Sequence, residues 1–268
     1  MQSVRVTEEL LAGGVANAGA VTRVGDEVRR PSSRHSRSIH RFLSALSAAG
    51  FDGAPRPLGF DGDGRERLVF IPGDVAVPPY PSWVQTDEAL ASISILMRRF
   101  HEASGRVTRE PDATWSSDLA DPLDGSIVCH NDVCLENVVF RDGSAVALLD
   151  FDFAAPGRVA YDLAQCARMC VPLDDDLSAT QLGWNAANRP ARFRTFTDAY
   201  GLGHDARMEL VDLISDSMAR GGEFVRRRVD AGDPNYIALW DQIGGMERFD
   251  RRRQWWADER ERFIKAVA

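Results

Sequence analysis

His130, Asp132, Asn137 and Asp150 are residues whose types and spacing could do chemistry together. They stand in His130-Asn131-Asp132-Val133-Cys134-Leu135-Glu136-Asn137, followed downstream by Leu149-Asp150-Phe151-Asp152. Moving a phosphoryl group from a nucleotide calls for such a set. One carboxylate must orient the acceptor hydroxyl and take its proton, a role that Asp132 fits. Magnesium takes hard oxygen ligands, one or two from the protein and the rest from phosphates and water. The amide oxygen of Asn137 and the carboxylate of Asp150 fit that role. His130 is expected beneath the loop, tying down its backbone.

A strand, a loop and a hairpin must position these groups. Ser126 to Cys129 reads as a short strand. Val138 to Phe140 and Ala145 to Leu149 flank the turn sequence Arg141-Asp142-Gly143-Ser144, so the open end of a hairpin brings Asn137 to Asp150. Upstream, Ala20 to Val24 and Glu27 to Pro31 flank Gly25-Asp26, a second hairpin signature, with Pro31 ending the strand or putting it at an edge. Ser32 or Ser33 caps a helix over 33–49, in which Ile39, Phe42, Leu43 and Leu46 share one face. Segments 56–60 and 66–71 read as strands around Asp61-Gly62-Asp63-Gly64. Pro72-Gly73-Asp74 with Pro78, Pro79 and Pro81 marks a boundary, giving a β-rich unit 1–72 and a unit 73–268. Beyond it Thr86 caps a helix carrying Leu90, Ile93, Met97 and Phe100, and helical patterns dominate from 161 onward.

The chain has 268 residues, 44% hydrophobic and 27% charged, which excludes a disordered segment and a small disulfide scaffold. A net charge of −8 without a long basic block speaks against nucleic acid as a partner. Cys129, Cys134, Cys166 and Cys170 are spaced for reduced thiols rather than a disulfide framework or a zinc site. Acids near the start and the lack of a long apolar stretch give the expectation of a cytoplasmic protein with no membrane partner.

His130-x-Asp132-x4-Asn137 with Asp150 resembles the Brenner motif and metal-binding aspartate of the aminoglycoside phosphotransferase and choline kinase-like family, small-molecule relatives of protein kinases. Gly157 to Ala164, with its Asp-Leu-Ala segment, is similar to the stretch that follows the metal aspartate there. Phe70-Ile71-Pro72-Gly73 resembles the family's interlobe linker. The resemblance covers about residues 8 to 215. It implies an α+β, two-lobed protein kinase-like fold with a small β-rich N-lobe and a larger, mainly helical C-lobe. It further implies ATP or GTP as donor, Mg2+, and transfer of the γ-phosphate to a small-molecule hydroxyl by a monomer or homodimer. Asp132 is then catalytic, Asn137 and Asp150 hold the metal, and Phe70 and Ile71 line the base pocket. Family habit gives an antibiotic as acceptor, of aminoglycoside or nucleoside type, and hence resistance; the alternative acceptor is a primary metabolite such as choline, homoserine or a sugar.

The chain departs from this pattern in its phosphate grip. Kinases of this kind place a lysine on the third strand and a glutamate on the next helix. Lys265 is the only lysine among 32 basic residues, and no acid lies between Glu27 and Asp52. Arg29 or Arg30 is expected to contact phosphate instead, with Arg29 the first choice. Backbone amides of the Gly13, Gly14 and Gly19 loop could assist, Gly14 in particular. The missing pair leaves a silent nucleotide-binding module as a competing class, whereas the complete Asp132, Asn137 and Asp150 set favours an active enzyme. A metal-dependent hydrolase is disfavoured, since no two-metal cluster accompanies these carboxylates. Asp162 is expected to bond the catalytic-loop backbone. Glu136, Asp174-Asp175-Asp176, Arg226 to Arg228 and Arg251 to Arg253 read as solvated groups.

Overall fold

The computed structural model describes residues 8–11, 17 and 19–268. Its first part is a five-stranded antiparallel sheet carrying one helix. The strands are β1 (Glu8–Leu10), β2 (Thr22–Val24) and β3 (Glu27–Arg30), then, after helix α1 (Ser36–Ala48), β4 (Pro57–Phe60) and β5 (Glu66–Val69). Their order is β1-β2-β3-β5-β4. Val24 pairs with Glu27, so Gly25-Asp26 forms the expected two-residue turn, with Gly25 at φ +63°. α1 begins later than expected. Ser36 Oγ accepts the Ser33 N–H at 2.8 Å and Ser33 Oγ accepts the His35 N–H at 3.1 Å. The two serines thus spend their side chains on a turn ahead of the helix rather than on a single cap. α1 buries Ile39, Phe42, Leu43 and Leu46, the face its apolar spacing marks out.

The remaining chain is mainly helical around a small β island. After the two-residue strand β6 (Asp74–Val75) comes α2 (Asp87–Ser104), capped by Thr86, whose hydroxyl accepts the Ala89 N–H at 3.1 Å. Leu90, Ile93, Leu96, Met97 and Phe100 make α2 the buried spine of the main core. Strands β7 (Ile127–Cys129), β8 (Val138–Arg141), β9 (Ser144–Leu148) and β10 (Ala155–Gly157) follow. β8 and β9 form the expected hairpin, with β6 on the outer side of β8, while β7 pairs with β10. Helices α3 (Val159–Cys170), α4 (Asp176–Gln181), α5 (Arg189–Tyr200), α6 (His204–Asp230), α7 (Pro234–Ile243) and α8 (Gly245–Val267) complete the chain. Trp256 and Phe263 of α8 enter the same core as α2, α3 and α6. Among the described residues no helix is long and apolar enough to cross a membrane.

Candidate active site

One buried carboxylate fixes the loop that leaves β7. Asp162, in the first turn of α3, accepts the backbone N–H groups of His130 at 2.8 Å and Asn131 at 2.7 Å. The loop can present both donors because Asn131 sits at φ +66°, a left-handed conformation that asparagine tolerates. His101 Nε2 lies 3.0 Å from the same carboxylate, and its Nδ1 lies 2.9 Å from the Tyr200 hydroxyl. Burial pushes the Asp162 carboxyl up, yet the bonds from His101 and the loop N–H outweigh it and hold the group below its usual range. The expected structural role of Asp162 is the one its contacts describe. His130 is fully buried. Its Nε2 sits 2.8 Å from the Leu149 carbonyl, to which it must donate. Nδ1 is then left to accept the Asp132 N–H at 3.3 Å. Burial lowers the pKa of His130, which favours this neutral tautomer and ties the loop to the residue preceding Asp150.

The hairpin brings the oxygen-bearing groups together. The Leu149 N–H donates to the Asn137 carbonyl at 2.8 Å, so Asn137 and Asp150 flank the open end of β8–β9. Asn137 Nδ2 donates to the Asp132 carbonyl at 2.9 Å and to Asp132 Oδ2 at 3.3 Å. Its amide oxygen is thereby left for another partner. Asp150 stands at φ +58°, turning its side chain out of the strand direction. Burial and the charge of Asp150 push the half-buried Asp132 carboxyl up to about 8, against the opposing pull of Arg168. An amide oxygen and a carboxylate are hard donors, and together they suit magnesium, which takes few protein ligands.

The third-strand cation in this cleft is Arg30. Arg30 Nη1 donates to Asp150 Oδ1 at 2.9 Å, Nη2 bonds Asp152, and Nε lies 3.2 Å from Glu66 Oε2. Arg30 and Glu66 face each other across the β3–β5 ladder. Glu66 also accepts the Ser36 hydroxyl and lies 3.6 Å from His40 Nε2. Burial alone would raise the Glu66 carboxyl, but His40, Arg30 and Ser36 hold it below the usual range. The brace for the strand cation is therefore present, supplied by a strand rather than by α1. The structure does not bring Arg29 to this group. Neighbouring residues on a strand point to opposite faces, and Arg29 lies 3.9 Å from Glu27, two residues away on its own face. Gly14 and Gly13 lie outside the described residues. Asn17 reaches the site, its Nδ2 standing 3.4 Å from Asp152 Oδ2. Phe70 and Ile71 are half-buried just beyond β5; the Phe70 N–H bonds the Asp26 carbonyl at 2.8 Å, and Arg23 stacks 3.8 Å above the Phe70 ring.

A family model described as the phosphotransferase enzyme family, APH, matches residues 20–196, which span both the sheet and this site. The chain belongs to that family. It is thus a phosphotransferase, a kinase that moves phosphate to a hydroxyl. It is 33% identical over 212 residues to the trifolitoxin immunity protein of Rhizobium leguminosarum bv. trifolii, covering 77% of this chain and 79% of that protein. A choline/ethanolamine kinase family protein from Mesorhizobium loti shares the fold at a TM-score of 0.62 and 17% identity, over 97% of this chain and 92% of the other. The amicoumacin kinase hAmiN, solved with AMP-PNP, Ca2+ and Ami, does so at 0.61 and 10% identity, over 94% and 88%. These likenesses establish the two-lobed, protein kinase-like fold of this phosphotransferase.

Some residues in and around the candidate site were not legible as such in the sequence. Glu66 carried no motif; only the register that sets it opposite Arg30 reveals it. Glu136 is no solvated neighbour, since it accepts the Tyr80 hydroxyl at 3.0 Å. Asp174 is likewise not a solvated turn residue. It is buried, with Arg248 at 2.6 Å and Arg252 at 2.9 Å.

Proposed function

We propose that this protein is a small-molecule O-kinase that uses ATP or GTP with Mg2+, its lobes dividing between residues 72 and 73. The observation that carries the reading is the convergence of Asp132, Asn137, Asp150 and Arg30 on one cleft. Asp132 orients the acceptor hydroxyl and takes its proton, its side chain held beside Asn137 at the head of the loop. Asn137 and Asp150 would hold the magnesium ion, which supplies charge neutralisation for the phosphates when bound. Arg30, braced by Glu66, exchanges its bonds to Asp150 and Asp152 for nucleotide phosphate oxygens, taking the role first sought at Arg29. Phe70 and Ile71 line the base pocket, and the Gly14 backbone approaches phosphate. The complex of hAmiN with AMP-PNP and Ca2+ supports a nucleoside triphosphate donor with a divalent cation.

The acceptor reading is an antibiotic or toxin, so that the activity confers resistance in the cytoplasm. The likeness to the trifolitoxin immunity protein supports it. Within that class, Arg168, Arg248 and Arg252 beyond Asp132 favour a neutral or acidic molecule over a polycationic aminoglycoside. The test is the thermal midpoint with ATP or GTP, each with and without magnesium, on the wild type and Asp150→Asn. A magnesium-dependent rise that the variant loses is expected, since a ligand bound only by the folded state stabilises it by mass action. No rise with either nucleotide would overturn the kinase reading. Turnover confined to primary metabolites would overturn the antibiotic reading.

A further inference from the structure

A guanidinium without a carboxylate partner stands beside the catalytic loop. Arg168 lies on α3, near the turn where Cys170 Sγ meets the Val133 carbonyl at 3.8 Å, one residue from Asp132. Its Nε donates to Ser217 Oγ at 3.2 Å and its Nη2 to Gln165 Oε1 at 3.3 Å. Both acceptors are neutral and buried, and they bond each other at 2.7 Å. Among the described residues no carboxylate lies within ion-pair distance of Arg168, and Nη1 has no protein acceptor. The plane also lies against α6. A Cβ at Gly221 of α6 would stand 3.4 Å from Arg168 Cζ, Nη1 and Nη2 alike, so the guanidinium lies face-on to a helix that has no side chain there.

The surroundings of Arg168 are rich in positive charge. Arg248 and Arg252 of α8 share one carboxylate, that of Asp174. Two guanidinium groups thus share a single buried acid, and Arg168 lies close enough to feel their charge. Burial and the charge of Arg252, with a smaller push from Arg248, bring the Arg168 group down to about 10 against the opposing pull of Asp132 and Asp174. On the other side Arg168 feels Asp132. The apolar part of the same wall comes from Phe153, just beyond Asp150, which packs on Phe224 of α6, which in turn packs on Tyr236 of α7.

We propose that Arg168 binds an anionic group of the acceptor, a carboxylate or a phosphate, and so selects acidic hydroxyl compounds. Two neutral bonds preset the fork, leaving Nη1 and the outer edge of Nη2 for two oxygens of one anion. The acceptor hydroxyl then reaches Asp132 from the same cleft. The selection for phosphorylation rests on the kinase reading above; the anion site itself does not.

Four probes of equal chain length test this: 3-hydroxypropanoate, 3-hydroxypropyl phosphate, 1,3-propanediol and 3-aminopropanol. Each is offered to the full chain with magnesium and ATP, reading ADP release and thermal midpoint, for wild type, Arg168→Gln and Arg168→Lys. An anionic probe is expected to have the lowest KM and to raise the midpoint; which of the two does so identifies the anion. Arg168→Gln should raise that KM about tenfold to a hundredfold, the worth of a charge-assisted bond, and Arg168→Lys should recover part of it. The KM for ATP and the midpoint rise with magnesium–ATP should not move. Preference for the amine or the neutral diol, an equal effect of Arg168→Gln on all four probes, or an effect on ATP instead would overturn the proposal. Absence of any nucleotide effect on the midpoint would overturn the kinase reading alone. Where no probe is turned over, an anion-dependent midpoint rise lost in Arg168→Gln upholds the site, and its absence overturns it.

Discussion

The pairing of Arg30 with Glu66 makes a sharp prediction about stability. The Arg30 and Glu66 side chains are only 10% and 3% exposed, so each charge depends on the other for compensation. Arg30→Met leaves Glu66 with the Ser36 hydroxyl and His40, and leaves Asp150 and Asp152 without a cation between them. Breaking a buried pair from one side costs about 3–5 kcal/mol, and Arg30→Met should fall in that range. Glu66→Gln should cost less, about 1–3 kcal/mol, because Arg30 keeps both aspartates. In the double variant the second loss is largely prepaid, so the two costs should fall short of additivity by about 1–3 kcal/mol. Urea unfolding of the four proteins, followed by tryptophan fluorescence and far-ultraviolet circular dichroism, measures this. Additivity within about 0.5 kcal/mol would refute the reasoning, since contacting residues in one network should couple. It would mean that Glu66 is braced by α1 alone and that Arg30 stands free of it.

Asp132→Asn should lower turnover by about 10²–10⁴-fold, the usual worth of a positioned proton acceptor, while the magnesium–nucleotide midpoint rise persists. Loss of that rise together with turnover would move Asp132 from proton transfer to nucleotide binding. Asp162→Asn should destabilise the protein by about 3–5 kcal/mol, because an amide cannot accept both loop N–H groups and the His101 contact. The folded Asp162 carboxyl titrates below its ordinary value of 3.8, so its contribution is complete above that pH and is lost as pH falls through the folded value. Acid unfolding of Asp162→Asn should therefore be shallower than that of wild type below about pH 4. Parallel stability curves in that window would contradict the assignment.

The sequence by itself determined the chemistry-bearing set, because those residues are bound by local geometry. Asp132 and Asn137 are five residues apart on one loop, and a hairpin with a strong turn sequence returns the chain to Asp150. Turn chemistry and side-chain period carry such information within a short span. The same local rules made the β2–β3 hairpin and the capped α2 legible. Arg29 against Arg30 is where local reading ends. A shift of one residue reverses the face of a strand, and only pairing with β5 fixes which arginine enters the cleft. Glu66 lies 36 residues from Arg30, and its role follows from ladder register together with the turn of serines that sets α1 beside it. Arg168, Asp174 and the α8 arginines lay hidden for the same reason. On a helix, charged residues look alike until packing decides which are solvated and which are driven into a cleft. Here α3, α6 and α8 meet there, burying Asp174 and Arg252 that the sequence left at the surface. Tertiary structure alone decided which arginine of β3 meets Asp150 and Asp152, which arginines share Asp174, and which one bonds only neutral groups among the described residues.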